Sequence, residues 1–411
     1  MIMFVKQNFK ILLMSKFNPA DNIQDLQYFG EYGGVNPSIT DSSTYTFLRA
    51  GTMEGVFEGE VEGCYLYSRH WNPTNRYLSM ALAEMEGTES ACVMASGMGA
   101  ITSAMMQLCN SGDHVVSSRT IYGGTYAFFK NFAPKFGINT TFVDTTNLEQ
   151  VKAAITPETK VIYCETISNP MLEVSDIAEL SKIAKANNCK LVVDNTFSPM
   201  IFSPAKLGAD IVVHSMTKFI NGMSDCVAGT VCASDEFINS MYDVNDGAAM
   251  LLGPVLDSLR SSSILKNMRT LHIRMKQHSL NAMHLATNLD KDGFKIVYPG
   301  LAKHPQHETM KIMMNAEFGY GGLFVIDMGT SDKANLLMEK MQDDNVGYLA
   351  VSLGSYKTLF SAPGGSTSSE IPEEERTQMG LSDGLVRISI GLDNNIERTY
   401  QAIKRHIEAV G

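Results

Sequence analysis

The sequence predicts an α/β domain built on a mostly parallel sheet with helices on both faces, followed by a smaller α+β domain. Three observations support this prediction. Between about residues 88 and 232, short β-rich runs alternate with helical patterns, which requires crossover connections between parallel strands. The runs are largely apolar, as is typical of strands that are buried on both faces. After residue 256, helical patterns and short β signals occur in separate groups.

Seven apolar runs in the first part of the chain are predicted strands: ACVMAS, HVVSSR, NTTFVD, KVIYCET, KLVVDN, DIVVHS and GTVCA. Between them lie predicted helices such as residues 100–109 and 175–187. Ser175 is the candidate N-cap of the second of these helices.

The second part of the chain is predicted to begin with helical segments over residues 256–289. Short β signals follow at FKIVYPG, GGLFVIDM and LVRISIG. The stretch 361–375, SAPGGSTSSEIPEEE, is rich in turn-forming and charged residues and is predicted to be a surface loop. The C-terminal segment is predicted to pack on the body through one helical face, formed by Ile396, Tyr400, Ile403 and Ile407.

Charge and hydropathy exclude several classes of function. Lys and Arg number 33 and Asp and Glu 44, so the formal net charge is −11. Because a general nucleic-acid binder needs a basic face to neutralise phosphates, no nucleic-acid partner is expected. No run approaches the roughly 20 apolar residues that span a bilayer, so no membrane segment is expected either. Lys6 and Lys10 interrupt the first apolar stretch, which therefore lacks the core of a secretory signal, and we expect a cytoplasmic protein.

Cysteine and histidine spacing gives no indication of a metal site. The seven cysteines form no CxxC pair and no His-spaced zinc pattern, and the nine histidines show no metal-like spacing. In a chain of this size, such cysteines are typical of reduced thiols rather than of a disulfide framework. We therefore expect an intracellular enzyme or assembly without a metal.

Residues with useful chemistry follow the predicted strands directly. In open parallel sheets, ligands bind beyond the carboxyl ends of the strands, so these residues are the candidates for a binding site. They comprise Ser96, Gly97, Met98, Asn169, Asp194, Ser215, Thr217 and Lys218.

Two of these candidates, Lys218 and Asp194, suggest a cofactor. An isolated lysine after a strand is either a surface residue or a partly desolvated amine, and desolvation makes the amine a nucleophile. A lysine that bonds to the cofactor, together with an aspartate that pairs with a pyridinium nitrogen, is typical of pyridoxal 5′-phosphate (PLP) sites. The hydroxyls of Ser215 and Thr217 and the helix start at 96–98 could hold the phosphate. Together these features favour PLP.

Long motifs in the chain resemble those of the Cys/Met-metabolism PLP-dependent enzymes. The resemblance extends over about residues 18–410 and depends on YSRHWNPTNRY, ASGMGAI, IYGGTY, ETISNP, VVDNTF, LGADIVVHSMTKFINGMSD, AVSLG and GLVRISIGLD. It implies the PLP-dependent transferase fold type I. It also implies a family activity, the making or breaking of carbon–sulfur bonds in amino acids.

The resemblance implies a role for each matching residue. Lys218 matches the lysine that bonds to PLP, and Asp194 matches the partner of the pyridine nitrogen. Tyr122 matches the tyrosine that stacks on the cofactor ring and exchanges a proton with the leaving group. The other implied PLP contacts are Ser96, Gly97, Met98, Asn169, Ser215 and Thr217. The implied substrate contacts are Arg387, which matches the guanidinium for the substrate carboxylate, and Ser352.

The resemblance also implies an oligomer with shared active sites. Tyr67 and Arg69 match a pair that reaches the phosphate of a neighbouring subunit, so we expect at least a dimer and, by family resemblance, a homotetramer. The expected division is an N-terminal arm at 1–71 that contacts the neighbour, a PLP-binding domain at 72–268 and a C-terminal domain at 269–411.

Within the family, the chain resembles the plant-type methionine γ-lyases. The features are DNTFSPMIFSPAKLGAD, which is one residue shorter than the usual loop, together with SRTIYGGT, GAAMLLGP, YPGLAKHPQHE and GGSTSSE. In contrast, Gly124 stands where bacterial and protozoal methionine γ-lyases carry cysteine, Asn245-Asp246 stands where they carry Lys-Asp, and Lys357 replaces a common glutamate. The expected reaction is α,γ-elimination of L-methionine to methanethiol, 2-oxobutanoate and ammonia.

Three alternatives use the same residues: O-acetylhomoserine sulfhydrylase, cystathionine γ-synthase and cystathionine γ-lyase. A PLP-fold protein without catalysis, serving as a binding or assembly partner, is the alternative from another class. The presence of Lys218, Asp194, Tyr122 and Arg387 argues against that alternative.

Overall fold

The computed structural model describes residues 17–28, 30, 33–57, 61, 64–363, 374 and 382–411. Its first helices are α1 (Pro19–Asp25) and α2 (Gly51–Phe57). In α1, the side chain of Asn18 accepts hydrogen bonds from the N–H groups of Ala20 and Asp21 and so caps the first turn.

Seven strands of the described residues form the larger sheet, and each coincides with a predicted strand to within two residues at either end. They are β1 (Ser90–Met94), β2 (His114–Ser118), β3 (Asn139–Val143), β4 (Thr159–Glu165), β5 (Lys190–Asp194), β6 (Ile211–Ser215) and β7 (Gly229–Ala233). Their order across the sheet is β1-β7-β6-β5-β4-β2-β3. Strands β2 to β6 pair in parallel, whereas β7 runs antiparallel to both β6 and β1.

Helices cover this sheet because crossover connections must pass over its faces. They are α3 (Pro73–Glu86), α4 (Gly97–Leu108), α5 (Gly123–Ala127), α6 (Leu148–Ala154), α7 (Ile177–Ala186), α8 (Asp235–Met241), α9 (Ala248–Leu252) and α10 (Ser258–Met268). A π-turn at Phe128–Phe132 and 3₁₀ turns at Ala133–Phe136 and Pro204–Leu207 complete this part.

The predicted N-cap of α7 was wrong by one residue. Asp176 caps the helix, because its side chain accepts a hydrogen bond from the N–H of Glu179. Ser175 is buried, and its hydroxyl lies 3.3 Å from that of Thr145. An ionised carboxylate beside the positive end of a helix is favoured over a neutral hydroxyl, which agrees with this choice.

A second sheet, smaller and mostly antiparallel, lies in the C-terminal part. Its strands are β8 (Ile296–Val297), β9 (Leu323–Asp327), β10 (Tyr348–Leu349), β11 (Leu359–Ser361) and β12 (Leu385–Ser389), in the order β10-β11-β12-β9-β8. The helices of this part are α11 (Leu271–Lys291), α12 (His307–Met313), α13 (Ser331–Asp343) and α14 (Ile396–Val410), with a 3₁₀ turn at Ala316–Phe318.

The predicted packing of the C-terminal segment is confirmed. Ile403 and Ile407 of α14 are buried in a second hydrophobic core, Tyr400 is buried with them, and Ile396 packs against its edge. The predicted loop at 361–375 begins too early, because Ser361 is buried and ends β11. Apart from residues 361–363 and 374, the remainder of that stretch lies outside the described residues.

The two sheets meet at the point where the larger one ends its strands. Strands β4, β5 and β6 have almost continuously buried residues, and they end in the polar residues Glu165, Asp194 and Ser215. Asn72 caps α3 and Met268 ends α10, so the expected boundaries at 72 and 268 fall at helix termini. The three-part domain division itself stays a prediction.

No helix in the described ranges is long and apolar enough to span a membrane.

Candidate active site

A cavity of about 270 Å³ opens at the carboxyl ends of β4, β5 and β6. Most of the predicted site residues line it together: Ser96, Gly97, Met98, Tyr122, Asn169, Asp194, Ser215, Thr217, Lys218 and Arg387. These residues come from segments that are far apart in the chain, and the sheet order brings them to one edge. The position agrees with the rule that open parallel sheets bind ligands beyond their strand ends.

One end of the cavity is built to receive an anion. Ser96 caps α4, its Oγ accepting a hydrogen bond from the N–H of Gly99 at 2.9 Å. The next N–H groups, those of Gly97 and Met98, lie in the first turn and have no acceptor within the helix. A Cβ at position 97 would lie 2.6 Å from the Cβ of Ser215, so only glycine allows the helix start and the end of β6 to approach this closely.

Lys218 lines the cavity and lies in the turn that follows β6. Its Nζ donates a hydrogen bond to Oγ of Ser352 at 2.9 Å. Burial, and secondarily the positive charge of Arg387, lowers the pKa of Lys218 to about 8. A lysine with this pKa provides a neutral amine in appreciable amount near physiological pH.

Asp194 ends β5 and is buried. Its Oδ1 accepts the N–H of Thr196 at 2.9 Å, and the hydroxyl of Tyr163 lies 3.4 Å from Oδ2. Burial raises the pKa of Asp194, while hydrogen bonds from Thr196 act in the opposite direction. A carboxylate in this position can stabilise a cationic nitrogen that enters the cavity.

Arg387, in the middle of β12, is a buried cation held by polar groups from two regions. Its guanidinium donates to Oδ1 of Asn169 at 2.8 Å, to the carbonyl of Ser352 at 3.3 Å and to Oγ of Ser361 at 3.4 Å. Burial lowers the pKa of Arg387 to about 10, which leaves the side chain charged at neutral pH. A planar guanidinium fixed in this way is suited to bind a carboxylate in the cavity.

Tyr122 precedes α5 at the cavity wall, and about 42% of the residue is exposed. Its backbone N–H donates to Oε1 of Glu165 at 2.7 Å. A Cβ at position 124 would lie 2.6 Å from Cε1 of the tyrosine ring. Because Gly124 has no side chain, it leaves the space that the Tyr122 ring occupies.

Tyr67 and Arg69 do not line the cavity that contains Lys218. Arg69 donates to the carbonyl of Met250 at 2.9 Å and borders a different, small cavity beside Trp71 and Tyr242. Tyr67 forms an isolated β-bridge with Thr44. Ser352 is absent from the cavity lining but contacts both Lys218 and Arg387.

Sequence reasoning missed several residues of the cavity, and Glu165 is the most important. Glu165 ends β4, so the rule on strand ends could have identified it. Burial and the charge of Asp194 raise the pKa of Glu165, and the N–H groups of Tyr122 and Asn169 oppose this change. The other missed residues are Ile101, Ile167, Thr196, Phe197, Val227, Val351 and Leu353, most of them apolar. No local motif distinguishes an apolar residue of a cavity from one of the core.

The residues of the cavity fit PLP. The helix start at Gly97, where a Cβ would contact Ser215, and the hydroxyls of Ser215 and Thr217 suit a phosphate. Lys218 supplies an amine with a lowered pKa for the aldehyde, and Asp194 supplies a carboxylate for the ring nitrogen.

Comparison with known proteins gives a family match over residues 22–399, to the Cys/Met metabolism PLP-dependent enzymes. The chain is 45% identical to methionine gamma-lyase of Arabidopsis thaliana, covering 94% of this chain and 90% of that protein. It is 38% identical to cystathionine gamma-lyase of Bacillus subtilis, with 88% and 91% covered. It is 36% identical to O-succinylhomoserine sulfhydrylase of Pseudomonas aeruginosa, with 89% and 88% covered.

Solved structures agree with this match. Cystathionine gamma-lyase from Lactobacillus plantarum, in complex with L-serine, superposes with a TM-score of 0.85 at 30% identity, covering 96% of this chain and 99% of that one. A chain from Campylobacter jejuni that contains N′-pyridoxyl-lysine-5′-monophosphate gives a TM-score of 0.88 at 27% identity, with 95% and 100% covered. With its α/β architecture, which is that of PLP-dependent fold type I, this chain belongs to the Cys/Met metabolism PLP-dependent enzymes.

Proposed function

We propose that this enzyme is a carbon–sulfur lyase that converts L-methionine and water to methanethiol, 2-oxobutanoate and ammonia by α,γ-elimination, the water entering when the enamine product hydrolyses. The observation that supports this most strongly is the similarity to the Arabidopsis methionine gamma-lyase, 45% identical over 395 residues. A cavity lined by Lys218, Asp194, Tyr122 and Arg387 agrees with it.

PLP, when bound, supplies an electron sink that acidifies the α-hydrogen of the amino acid. In this proposal Lys218 holds the cofactor, the helix start at Gly97 and Met98 receives its phosphate with Ser96, Ser215 and Thr217, and Asn169 contacts its ring oxygen. Asp194 keeps a proton on the ring nitrogen. Its hydrogen bond from Thr196 fixes the carboxylate for that task.

Removal of the α-proton is assigned to Lys218, as is the later removal of a proton from Cβ, which releases the electron pair that breaks the Cγ–S bond. A pKa of about 8 lets its Nζ alternate between base and acid near neutral pH. Ser352 receives a hydrogen bond from that amine and can hold it while the substrate is bound. Arg387 binds the α-carboxylate, so that the α-hydrogen faces Nζ.

Protonation of the leaving thiolate is assigned to Tyr122, whose phenol donates a proton to the departing sulfur. Apolar side chains line the same cavity, among them Phe197, Val227 and Val351. Such a wall suits an uncharged thioether and excludes water from the developing thiolate.

The second candidate is a γ-replacement enzyme, O-acetylhomoserine sulfhydrylase or cystathionine γ-synthase, or else cystathionine γ-lyase. The relatives at 36–38% identity favour these over unrelated activities, because they include a sulfhydrylase and a cystathionine gamma-lyase. All use an amino acid with a leaving group at the γ-carbon, so the same cavity could serve each of them.

We further propose that the enzyme is a cytoplasmic homotetramer built from dimers with shared active sites. Tyr67 and Arg69 lie outside the cavity of their own chain, which supports a role in the site of a neighbouring subunit. The seven free cysteines are compatible with a reducing compartment. The molecular mass of the enzyme in solution would test the tetramer. Recovery of activity on mixing Lys218→Ala and Arg69→Ala chains would test the shared site.

The experiment that tests the main proposal compares substrates for the purified enzyme loaded with PLP. We expect methanethiol and 2-oxobutanoate to form from L-methionine with a higher kcat/KM than homocysteine forms from O-acetylhomoserine and sulfide. Cystathionine is assayed in parallel. If methionine is inert while homocysteine or cysteine is produced, the enzyme is instead a sulfhydrylase or a cystathionine γ-lyase. A Lys218→Ala variant serves as the inactive control.

A further inference from the structure

Glu165 connects two loops that each contribute a residue to the active site. It is buried at the end of β4, side by side with Asp194 in the neighbouring strand. Its Oε1 accepts the backbone N–H of Tyr122 at 2.7 Å, and its Oε2 accepts the backbone N–H of Asn169 at 2.9 Å. One carboxylate thus fixes the main chain at both positions.

The second of these contacts is linked to the guanidinium of Arg387 through the side chain of Asn169. Oδ1 of Asn169 accepts a hydrogen bond from Arg387 at 2.8 Å. A continuous chain of bonds therefore runs from the N–H of Tyr122 through Glu165 and Asn169 to Arg387. Tyr122 faces the leaving group and Arg387 the carboxylate of the same substrate in the function proposed above, so this chain sets the distance between the two groups.

A carboxylate is the one side chain of this size that satisfies both contacts. Each oxygen of Glu165 faces an N–H donor, and a carboxylate presents only acceptors. A glutamine would place its NH₂ against one of the two N–H groups, leaving two donors opposed in a buried position. Burial and the charge of Asp194 raise the pKa of Glu165, whereas the two backbone N–H groups and the positive charge of Arg387 act in the opposite direction and favour the carboxylate.

We propose that Glu165 is a positioning residue that aligns Tyr122 and Arg387 for the substrate by anchoring both loops. The inference rests on the proposed function, since it takes the roles of Tyr122 and Arg387 from it. Glu165 does not transfer a proton in this proposal, because both of its oxygens are engaged with backbone donors.

The test uses Glu165→Gln and Glu165→Asp holoenzymes, with Glu173→Gln as the matched control. Glu173 is also a carboxylate that anchors the turn before Tyr122, since it accepts from the hydroxyl of Thr120 at 2.7 Å, but it does not line the cavity. A glutamine at 173 keeps an acceptor for that hydroxyl, so this variant controls for loss of charge and loop stability.

Two readouts separate positioning from mere stability. The first is the Kd of glycine, which has a carboxylate but no γ-leaving group, measured by titration of the holoenzyme absorption spectrum. The second is the ratio of kcat with methionine to kcat with O-acetylhomoserine. The acetate that leaves from O-acetylhomoserine needs no proton, whereas the thiolate that leaves from methionine does. Both are measured on protein with full PLP content, so that loss of cofactor does not affect either value.

For Glu165→Gln we expect a glycine Kd raised about ten-fold, as for one lost charged hydrogen bond. We also expect kcat to fall about ten-fold further with methionine than with the ester. Glu165→Asp, which keeps an acceptor-only group, should lie between wild type and Glu165→Gln, and Glu173→Gln should match wild type. If Glu165→Gln does not fold or hold PLP, the aspartate variant is compared with wild type in the same two assays.

The proposal is overturned if the holoenzyme variants bind glycine as tightly as wild type and lose kcat equally with both substrates. It is also overturned if Glu173→Gln has the same effects. Failure of the proposed function gives a different result, because wild-type enzyme would then not release methanethiol from methionine. The glycine titration would still report on Glu165 and Arg387 in that case.

Discussion

The amine of Lys218 donates a hydrogen bond to the hydroxyl of Ser352, 2.9 Å away, although the two residues lie in loops next to different sheets. Lys218 follows β6 of the larger sheet, and Ser352 lies between β10 and β11 of the smaller one. The contact therefore links the parts of the chain that form the two sheets. Ser352 also accepts from Arg387 through its carbonyl, so one short segment holds both cations of the site.

The lowered pKa of Lys218 predicts how the apoenzyme takes up PLP. Because the neutral amine is the nucleophile and the pKa is about 8, the rate of covalent PLP binding should rise about ten-fold per pH unit below 8 and level off above it. Arg387→Met removes a charge that lowers this pKa, so its profile should move to higher pH. Stopped-flow absorbance measures both rates. A wild-type profile still rising above pH 10 would contradict the assignment, and Lys218→Ala should show no covalent uptake.

The close approach at Gly97 predicts a specific loss of cofactor affinity in Gly97→Ala. The new Cβ would lie 2.6 Å from the Cβ of Ser215, so the start of α4 must move away from the end of β6. Overpacking of this kind costs about 1–3 kcal/mol, and we expect the Kd for PLP to rise about ten-fold or more. Fluorescence titration of the apoenzyme measures the Kd. Wild-type affinity would show that the helix start does not receive the phosphate.

The space at Gly124 predicts that a side chain there displaces the ring of Tyr122. A Cβ would lie 2.6 Å from Cε1, at the far end of a side chain that can rotate, so the fold should tolerate Gly124→Ala. We expect kcat for thiol release to fall by about ten- to a hundred-fold, as for a group misplaced by about an ångström. Tm should change little. In a Tyr122→Phe background the same substitution should have no further effect on kcat, and an additive loss would refute the mechanism.

A buried contact between a carboxyl group and an imidazole predicts a large effect on stability. Oε1 of Glu86 accepts hydrogen bonds from Nε2 of His214 at 2.7 Å and from Nδ2 of Asn195 at 3.1 Å, and both members of the pair are buried. Glu86→Ala leaves these buried donors without an acceptor and should lower the free energy of unfolding by about 1–3 kcal/mol for each donor.

Glu149→Ala is the control for that prediction, because Glu149 pairs with Lys152 on the surface of α6. An exposed pair of this kind contributes at most about 1 kcal/mol. Denaturant unfolding of both apoproteins measures the difference. Equal changes in the two variants would mean that the Glu86–His214 contact contributes no more than a surface pair.

The strands and the site edge were predictable because both follow from simple periodicities. Short β-rich runs predicted each strand of the larger sheet, and the rule on strand ends then placed Asp194 and Lys218 at one edge. The same rule could have selected Glu165. Its relation to Tyr122 could not be predicted, since the contact joins a side chain to a backbone N–H 43 residues away.

The errors also have physical causes. Ser175 and Asp176 are both good N-caps, and only the helix phase decides between them. Ser361 was assigned to a loop because its neighbours in the sequence are turn-forming, whereas cross-strand pairing with Arg387 places it in β11. The position of Tyr67 and Arg69 outside the cavity could not be predicted from the periodicity of the sequence.

The position of β7 has a consequence for synthesis of the chain. β1 is the first strand to be made, and its one neighbour in the described sheet is β7, with Met94 opposite Gly229. A nascent chain that has passed Met94 therefore exposes an unpaired apolar edge until residues 229–233 emerge from the ribosome. During that interval β7 does not yet join β1 to β6, so the start of α4 at Gly97 is not held beside Ser215. We infer that truncated or stalled chains are especially prone to aggregate, and that the binding edge is completed only when β7 inserts.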